Sequence, residues 1–369
     1  MLPLNWQRVR LGDIGKPCMC KRVMKHQTTR YGEIPFYKIG TFGNTADAFI
    51  SKKLFLEYKT KYSFPKKGDI LISASGTIGR AVIYDGKPAY FQDSNIVWID
   101  NDETLVKNDF LFYAYSNVKW NTEHTTILRL YNDNFRNTLI PLPPLNEQIA
   151  IANILSGLDR YLCALDALIL KKESVKKALS FELLNQRKRL KGFNQAWQRV
   201  RLGDIANYLT SNLSAEQITQ QGKIKVYDVN NFIGYTDTTF ISDKPYISIV
   251  KDGSVGRVRI LPPKTNILST MGVLIANHRT TTEFLFYLLS NFDFKNFTSG
   301  SIIPHIYFKD YKEKTIFLPP LNEQSAIANI LSTLDNEITS LKNKKRQFEN
   351  IKKALNHDLM SAKIRVLEK

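Results

Sequence analysis

Cysteine and histidine are scarce in this sequence, with three and five residues among 369. The three cysteines are Cys18, Cys20 and Cys163. The sequence has no second cysteine pair and no histidine pair at metal-ligand spacing, which argues against structural zinc and is typical of a reducing compartment. Cys163 belongs to an apolar helical pattern, so we expect it to be a small core residue. No metal site is predicted.

Long apolar runs are also missing. No stretch reaches the roughly 18 apolar residues that a membrane-spanning helix needs, and residues 1–6 lack the charged and apolar regions of a signal peptide. We therefore expect a cytoplasmic protein without a membrane partner.

Acidic residues are few relative to basic ones. Lysine and arginine total 52 against 34 aspartate and glutamate residues, a formal net charge of +18, which favours a polyanionic partner such as nucleic acid. Because 43% of the residues are hydrophobic, the chain should fold, and its charge is not that of a disordered tail. A solvated surface with a basic bias is the alternative.

Motifs for cofactor chemistry are absent too. Gly15, Gly86 and Gly222 are each followed by lysine but not then by serine or threonine, so the sequence has no Gly-x-x-x-x-Gly-Lys-Ser/Thr phosphate loop. It also has no His-Glu-x-x-His zinc pattern and no Gly-x-Gly-x-x-Gly after a predicted strand. We therefore expect no cofactor and no catalytic residue in this chain.

What the sequence does contain is a duplication. Residues 6–14, WQRVRLGDI, return unchanged at 197–205, and residues 142–148, LPPLNEQ, return at 318–324. The segment FLFYAYSN at 110–117 is similar to FLFYLLSN at 284–291. The spacing between the copies is much longer than the repeat period of a solenoid, so the repeats indicate two copies of one module.

Each copy begins with strand signals. Short runs rich in β-branched and aromatic residues, bounded by turn residues, predict strands, and they lie at 34–39, 69–72, 81–84, 95–99, 224–227, 246–250, 257–260 and 273–275. The similar segments at 110–117 and 284–291 predict helices. Residues 75–80, SGTIGR, and 252–257, DGSVGR, predict tight strand-to-strand turns in which glycine supplies positive φ.

Each copy ends in a long helical pattern that starts after two prolines. Apolar residues at alternating spacings of three and four predict a coiled-coil seam, formed by Leu155, Leu158, Leu162, Leu165, Ile169, Leu179, Leu183, Leu331, Leu334, Ile338, Leu341, Phe348, Leu355 and Leu359. The first helix is expected from Leu145 to about Leu190, with Gly192 as its stop, and would be about 70 Å long. A helix of this length needs a partner for its apolar stripe.

The predicted fold class is α+β, with two similar mixed α/β domains separated by two long helices that pack as an antiparallel coiled coil with pseudo-twofold symmetry. The expected boundaries are 1–143 for the first domain, 144–192 for the first helix, 193–319 for the second domain and 320–369 for the second helix. The alternative is that each helix folds back onto its own domain.

Residues suited to DNA contact occur in both copies. Lysine and arginine bind phosphates, and polar side chains on loops can reach base edges. The candidates are Lys21, Arg22, Lys25, Arg80, His124, Arg129, Lys251, Arg257, Arg259, Arg279, Ser301, His305 and Lys309. For each of them a solvated side chain is the alternative.

Three repeated motifs together resemble the specificity subunit of type I restriction-modification systems. They are Trp-x-x-x-x-Leu-Gly-Asp-Ile at 6–14 and 197–205, Ile/Val-Gly-Arg at 78–80 and 255–257, and Leu-Pro-Pro-Leu-Asn-Glu-Gln leading into Ile-Ala-Asn-Ile-Leu-Ser at 142–156 and 318–332. The resemblance implies two target recognition domains. Each would read one half of a bipartite double-stranded DNA site, and the helical pair would set the spacer.

The resemblance also implies that catalysis belongs to partner subunits. These would be two modification subunits, which bind S-adenosylmethionine and methylate adenine, and two restriction subunits, which use ATP and Mg²⁺ to translocate and cleave DNA. The modification subunits would dock near residues 146–148 and 322–324, for which capping of the helix start is the alternative role. Two other classes stay open: a stand-alone DNA-modifying enzyme, and a structural DNA-binding scaffold or regulator.

Overall fold

The structure, a computed structural model, describes residues 3–124 and 128–366. The chain forms two compact units. Unit 1 is Met1–Leu165 with Lys344–Lys369, and unit 2 is Asp166–Asn343. Each unit thus combines one globular region with one part of each long helix, whereas the boundaries predicted from the sequence follow the order of the parts along the chain.

The first half of the chain contains short strands and short helices before a long helix. The strands are β1 (Gln7–Arg10), β2 (Gly15–Met19), β3 (Ile34–Tyr37), β4 (Phe49–Ile50), β5 (Ile70–Ser73), β6 (Ala81–Ile83), β7 (Tyr90–Phe91), β8 (Ile96–Asn101), β9 (Glu123–His124), β10 (Leu128–Arg129) and β11 (Leu139–Leu142). The helices are α1 (Leu11–Ile14), α2 (Lys52–Lys61), α3 (Asn108–Tyr115), α4 (Asn132–Asn137) and α5 (Leu145–Leu184).

The second half repeats this order with fewer helices. Its strands are β12 (Gln198–Arg201), β13 (Ala206–Thr210), β14 (Ile224–Tyr227), β15 (Phe232–Thr236), β16 (Tyr246–Val250), β17 (Val258–Leu261), β18 (Thr265–Ile267), β19 (Met271–Ala276), β20 (Thr298–Ser299), β21 (His305–Ile306) and β22 (Thr315–Leu318). Its helices are α6 (Thr282–Ser290), α7 (Phe308–Tyr311) and α8 (Leu321–Met360). The strands and short helices predicted in both copies are confirmed, with bounds that shift by a few residues.

The two units have the same sheet topology. An antiparallel four-stranded sheet has the order β2-β8-β5-β6 in unit 1 and β13-β19-β16-β17 in unit 2. A three-stranded sheet has the order β4-β3-β7 in one unit and β15-β14-β18 in the other. β1 pairs with β11, and β12 pairs with β22, so the repeated WQRVRLGDI segment is joined to the strand that precedes each long helix. The duplication therefore extends to strand pairing.

The core of unit 1 joins the four-stranded sheet to both long helices. Ile72 and Val97 of the sheet belong to one buried cluster with Phe110 of α3, Leu155 of α5 and Leu359 of α8. Burial of large aliphatic and aromatic side chains is the main stabilising term of such a unit. Because the cluster includes both helices, their ends are part of the globular core.

The core of unit 2 is built in the same way. Ile247 and Leu274 of its sheet belong to one cluster with Phe284 of α6, Leu183 of α5 and Leu331 of α8. In each unit the start of one long helix and the end of the other thus pack on the same globular region. This agrees with the predicted antiparallel pair and not with the alternative in which each helix folds back onto its own domain.

Both long helices begin directly after the repeated Pro-Pro. The Pro144 carbonyl accepts from the Gln148 amide at 2.9 Å, and the Pro320 carbonyl accepts from the Gln324 amide at the same distance. Proline suits this position because its fixed φ is helical and its missing N–H would have no partner in the first turn. The predicted helix starts are confirmed.

The first long helix ends earlier than predicted, at Leu184 rather than near Leu190. Gln186 adopts a left-handed conformation with φ 55°, and the Arg187 amide donates to the Glu182 carbonyl at 2.9 Å. This six-to-one hydrogen bond closes the helix end. Gly192 lies beyond it and is not the stop.

The two helices pack antiparallel within each unit. In unit 1, the rings of Tyr161 and Phe348 lie 4.7 Å apart, and Lys352 contacts Asp159. In unit 2, Lys172 contacts Glu337 at 2.6 Å, and further along α5 Lys176 contacts Asp335, which is earlier in α8. The predicted antiparallel pairing is confirmed by these contacts.

The residues of the predicted seam all lie on covered faces. Leu155, Leu165, Ile169, Leu183, Leu331, Ile338 and Leu359 are buried, and Leu158, Leu162, Leu179, Leu334, Leu341, Phe348 and Leu355 are half-buried. Cys163 is exposed, so the prediction that it is a core residue is wrong. It follows the seam position Leu162, and one residue turns the helix by about 100°.

No helix within residues 3–124 and 128–366 combines the length and apolar character needed to cross a membrane.

Candidate nucleic-acid interface

In unit 1 a glycine-containing turn lies against a small hairpin. Turn 1, residues 75–80, connects β5 to β6, and Gly79 in it has φ 82°. Hairpin 1 consists of β9 and β10, with Arg129 opposite Glu123. Ser75 forms a β-bridge with Arg129, and the Leu130 amide donates to the Ala74 carbonyl at 2.8 Å. Two loops that are distant in sequence thus form one surface.

Unit 2 repeats this arrangement residue for residue. Turn 2, residues 252–257, connects β16 to β17, and hairpin 2 consists of β20 and β21 with His305 opposite Ser299. Asp252 forms a β-bridge with His305, and the Ile306 amide donates to the Lys251 carbonyl at 2.9 Å. Asp252 therefore corresponds to Ser75, and His305 corresponds to Arg129.

The last residue of each turn is an exposed arginine held by an asparagine. The Arg80 guanidinium donates to the Asn44 side chain at 3.5 Å, and the Arg257 guanidinium donates to the Asn230 side chain at 3.0 Å. Both asparagines lie in the loop after the equivalent strand, β3 or β14. The sequence predicted the arginines but missed the asparagines, whose shared position after these strands is the signal that could have found them.

Further polar side chains extend the surface of unit 1. Asn95 Oδ1 accepts from the Ser75 hydroxyl at 2.7 Å and from Arg129 at 3.5 Å. Arg22 contacts Asp93 at 2.8 Å, two residues before Asn95. Arg22, Arg80 and Arg129 of the sequence-predicted set are thus brought around turn 1.

Other predicted residues of unit 1 lie beside this group. Lys21 is exposed and its ammonium lies over the Tyr62 ring at 5.1 Å. Lys25 is exposed at the start of a short 3₁₀ helix, Lys25–Gln27. His124 lies on β9, and its side chain falls outside the described part of the structure.

Basic side chains lie around hairpin 2. His305 Nδ1 lies 2.7 Å from Asp252 Oδ1, and Lys251 Nζ lies 3.7 Å from Asp252 Oδ2. The Lys309 ammonium lies over the Tyr307 ring at 5.6 Å. Ser301 is exposed in the loop between β20 and β21, and so is Ile302, at 92% of its full area. The sequence prediction did not include Ile302.

Two arginines predicted for DNA contact have other surroundings. The Arg259 guanidinium stacks over the Tyr227 ring at 5.7 Å, and its buried Nη1 atom has no hydrogen-bond partner within the described residues. Arg279 donates to the Gln198 side chain at 3.3 Å, and its carbonyl accepts from Gln324 at 2.9 Å. Arg279 therefore belongs to the start of α8, and the structure does not bring it to hairpin 2.

A tryptophan, a glutamate and an arginine form the same cluster at the start of each long helix. In unit 1 the Trp6 indole donates to Glu147 at 3.0 Å, and Arg365 contacts the same carboxylate at 2.8 Å. Burial favours a raised pKa for the Glu147 carboxyl, but the hydrogen bonds from Arg365 and Trp6 outweigh it and hold that pKa below its usual value. We call these residues helix-start cluster 1.

Helix-start cluster 2 has the same geometry in unit 2. The Trp197 indole donates to Glu323 at 2.9 Å, and Arg189 contacts that carboxylate at 2.7 Å. Each arginine follows the end of one long helix, and each glutamate begins the other. Each buried carboxylate is thus paired with an arginine and with an indole N–H, which offsets the cost of burying it.

The neighbouring glutamines are equally enclosed. Gln148 donates to the carbonyls of Leu105 and Pro143 and accepts from the Lys107 amide. Gln324 makes the corresponding contacts and, like Gln148, has no exposed area. The expected outward face at 146–148 and 322–324 is therefore not formed by these glutamates and glutamines, because their side chains are buried and fasten the helix start to the globular region. Asn146 and Asn322 are exposed.

A second cluster ties the short helix of each unit to both long helices. The Tyr113 hydroxyl of α3 donates to Asp159 of α5 at 2.7 Å, and Lys352 of α8 contacts the same carboxylate. In unit 2, Tyr287 donates to Asp335 at 2.9 Å, and Lys176 takes the place of Lys352. Burial, with the adjacent carboxylate, raises the pKa of each tyrosine, so both remain hydrogen-bond donors.

Within the described ranges, no group of three or more histidine, cysteine, aspartate or glutamate side chains is placed to hold a metal ion. The arrangement that repeats instead is a polar and basic loop surface on an α+β unit, fastened to paired helices. These features define a duplicated, modular binding protein.

The comparisons with known proteins agree with this class. The family model for the "Type I restriction modification DNA specificity domain" matches residues 3–173 and again residues 194–350. The chain therefore belongs to the family of type I restriction-modification specificity subunits and carries their DNA specificity domain twice. The resemblance inferred from the repeated motifs is confirmed.

Individual relatives carry the same description. A putative type I restriction enzyme specificity subunit of Haemophilus influenzae is 64% identical over 152 residues, which cover 41% of this chain and 40% of that relative. The putative MjaX specificity subunit of Methanocaldococcus jannaschii is 27% identical over 335 residues, covering 81% and 79% of the two chains. The MjaVIII specificity subunit of the same organism is 24% identical and covers 99% and 94%.

Solved structures share the fold. The S subunit of a type I restriction-modification system from M. genitalium superimposes with a TM-score of 0.65 at 19% identity, covering 97% of this chain and 98% of that one. A chain from a study of complex assembly and conformational transition of the type I R-M system gives 0.57 at 15% identity, covering 99% and 100%. The predicted α+β fold with two similar domains is confirmed.

Proposed function

We propose that this chain selects the DNA sequence on which a type I restriction-modification complex acts. Each unit reads one half of a bipartite double-stranded target through its turn and hairpin, and the paired long helices set the spacer between the halves. One observation carries the proposal: a turn and a hairpin meet with identical register in both units, in a family of DNA specificity domains.

The chemistry of these loops suits a DNA groove. Exposed Arg80 and Arg257 can bind phosphates or guanine edges, while Ser301 and His305 can hydrogen-bond bases. The exposed Ile302 suits contact with a thymine methyl group. The net charge of +18 adds attraction to the phosphate backbone.

Catalysis in this proposal belongs to partner subunits. Two modification subunits, which carry S-adenosylmethionine, and two restriction subunits, which use ATP and Mg²⁺, would assemble on this chain in the cytoplasm. Leu170 and Phe181 support a docking role for α5, because they are 63% and 49% exposed and, eleven residues apart, lie on the same side of the helix.

The test uses the full chain purified from its host through an affinity tag. We expect a methyltransferase subunit to co-purify, and the complex to protect DNA in two patches separated by an unprotected spacer. Deletion of the gene should remove one class of methylated adenines from the host genome. A single continuous footprint, or methyl transfer by the isolated chain without a partner, would overturn the proposal.

A further inference from the structure

We propose that positions 129 and 305 are equivalent specificity-determining positions in the two units, each oriented by its neighbour at position 75 or 252. The inference rests on the proposed function, since it names the base-reading position within the same surface. The two copies thus place different side chains, Arg129 and His305, at the same position of the fold.

The backbone makes the two positions equivalent. Arg129 is the last residue of β10 and lies opposite Glu123. His305 is the first residue of β21 and lies opposite Ser299. Each is bridged to the first residue of the adjacent turn. A side chain at this place is therefore supported by two loops at once, and support of this kind is what a precise base contact requires.

The imidazole of His305 has a defined orientation. Asp252 Oδ1 lies 2.7 Å from Nδ1, and because a carboxylate accepts, Nδ1 carries the proton. The Tyr307 ring lies nearly parallel to the imidazole, with 21° between the planes and 6.4 Å between the ring centroids. On the other edge, Gly300 has φ 92°, and a Cβ there would lie 3.1 Å from His305 Cδ2. Nε2 is left as the ring atom available to DNA.

Arg129 offers a different set of hydrogen-bonding atoms. Asn95 accepts from its Nη2 at 3.5 Å and is itself held by the Ser75 hydroxyl at 2.7 Å. A guanidinium has five N–H donors and no acceptor, so donors remain for a base edge, for which guanine O6 and N7 are the best partners. The His305 ring instead presents one atom, Nε2, so its contact with a base edge differs from that of a guanidinium with several donors.

The decisive experiment exchanges the two pairs. One full-length variant carries Ser75→Asp with Arg129→His, and the other carries Asp252→Ser with His305→Arg. Each tagged chain, in the complex purified from its host, selects duplexes from a random pool. We expect base preference to change by about tenfold at one position of one half-site, with the other half-site unchanged. Retention of the wild-type preference at every position would overturn the inference.

Two conservative variants separate reading from structural support. Glutamine at 305 can place an amide near the position of Nε2, whereas asparagine reaches only the position of Nδ1. His305→Gln should therefore bind the selected target within a few-fold of wild type, and His305→Asn should lose about tenfold on that target but not on unrelated DNA. An equal loss on all sequences would mean that His305 only supports the hairpin.

The wild-type complex distinguishes failure of the proposed function from failure of this inference alone. If wild type selects no bipartite sequence, the proposed function fails together with this inference. If wild type selects a bipartite sequence and the exchanged pairs leave it unaltered, the inference alone fails. Urea unfolding of each variant verifies that the fold is intact.

Discussion

At the scale of single residues, the two copies keep some positions and change others. The helix-start clusters use the same three residue types in both units, with nearly equal distances. The places where turn and hairpin meet differ, with Ser75 and Arg129 in one unit and Asp252 and His305 in the other. The retained residues bury charge and fix the fold, whereas the changed residues lie on the proposed reading surface.

The first prediction concerns the arginines of the helix-start clusters. Arg365→Met or Arg189→Met leaves a buried glutamate without its charged partner, so each should lower the free energy of unfolding by about 1–3 kcal/mol. Urea unfolding followed by tryptophan fluorescence measures the loss. Lys191→Met, at an exposed position near Arg189, is the control and should change nothing measurable. An unaltered midpoint for both arginine variants would contradict this account.

The second prediction concerns acid stability. The folded-state pKa of Glu147 is lowered, so its stabilising contribution is complete above the usual carboxyl pKa of about 4.3 and is lost as pH falls through the lowered value. Glu147→Gln keeps an acceptor for the Trp6 indole but cannot ionise. The stability difference between wild type and this variant should therefore shrink as pH is lowered from 6 to about 3, in unfolding curves recorded at each pH. A difference independent of pH would argue against an ionised Glu147.

The residue scale also shows the limit of sequence-based prediction. Arg80 and Arg257 were predicted from the composition and spacing of their turns. Asn44 and Asn230, which hold them, are 36 and 27 positions away in sequence. Only the packing of separate loops decides such contacts, so the sequence could suggest the basic residues but not their partners.

At the scale of elements, helix starts and helix ends differ in how clearly the sequence marks them. Pro143 and Pro144 mark the start of α5 because proline cannot continue a helix from before but fits its first turn. The end of α5 depends on Gln186, a residue with no special preference for the left-handed conformation that it adopts. The conspicuous Gly192 misled the prediction.

The third prediction tests this helix end. Gln186→Gly relieves the left-handed strain of about 1–2 kcal/mol and adds backbone entropy to the unfolded chain, so a net stabilisation of about 0.5–1 kcal/mol is expected. Ala178→Gly, on the exposed side of the same helix, should destabilise by about 1 kcal/mol. Urea midpoints of the two variants should move in opposite directions. Movement in the same direction would show that the conformation of Gln186 is not limiting.

At the scale of the whole molecule, the proposed function assigns DNA reading to the two units and the spacing between half-sites to the long helices. α5 and α8 each have 40 residues, or about 60 Å at 1.5 Å per residue. Their contacts run antiparallel within each unit. If the helices set the spacer, their length and the length of the DNA between the half-sites must be linked.

The fourth prediction lengthens both helices together. Insertion of one seven-residue heptad after Leu165 and another after Asn343 preserves the seam and adds about 10 Å. At 3.4 Å per base pair, the selected target should contain about three more base pairs in its spacer, with both half-sites unchanged. Sequencing of duplexes selected by the purified complex measures the spacer. Insertion into one helix alone, the control, should impair binding because the two paired helices then differ in length by one heptad.

The sequence by itself determined the duplication, the strand and helix types, the starts of the long helices and the basic charge, because these follow from local periodicity, turn chemistry and composition. The tertiary structure decided which loops meet, and it buried Glu147 and Gln148 where an outward face was expected. It also placed the ends of both long helices in the globular cores. These outcomes depend on burial and hydrogen bonding between residues far apart in the chain, and no local sequence pattern specifies such contacts.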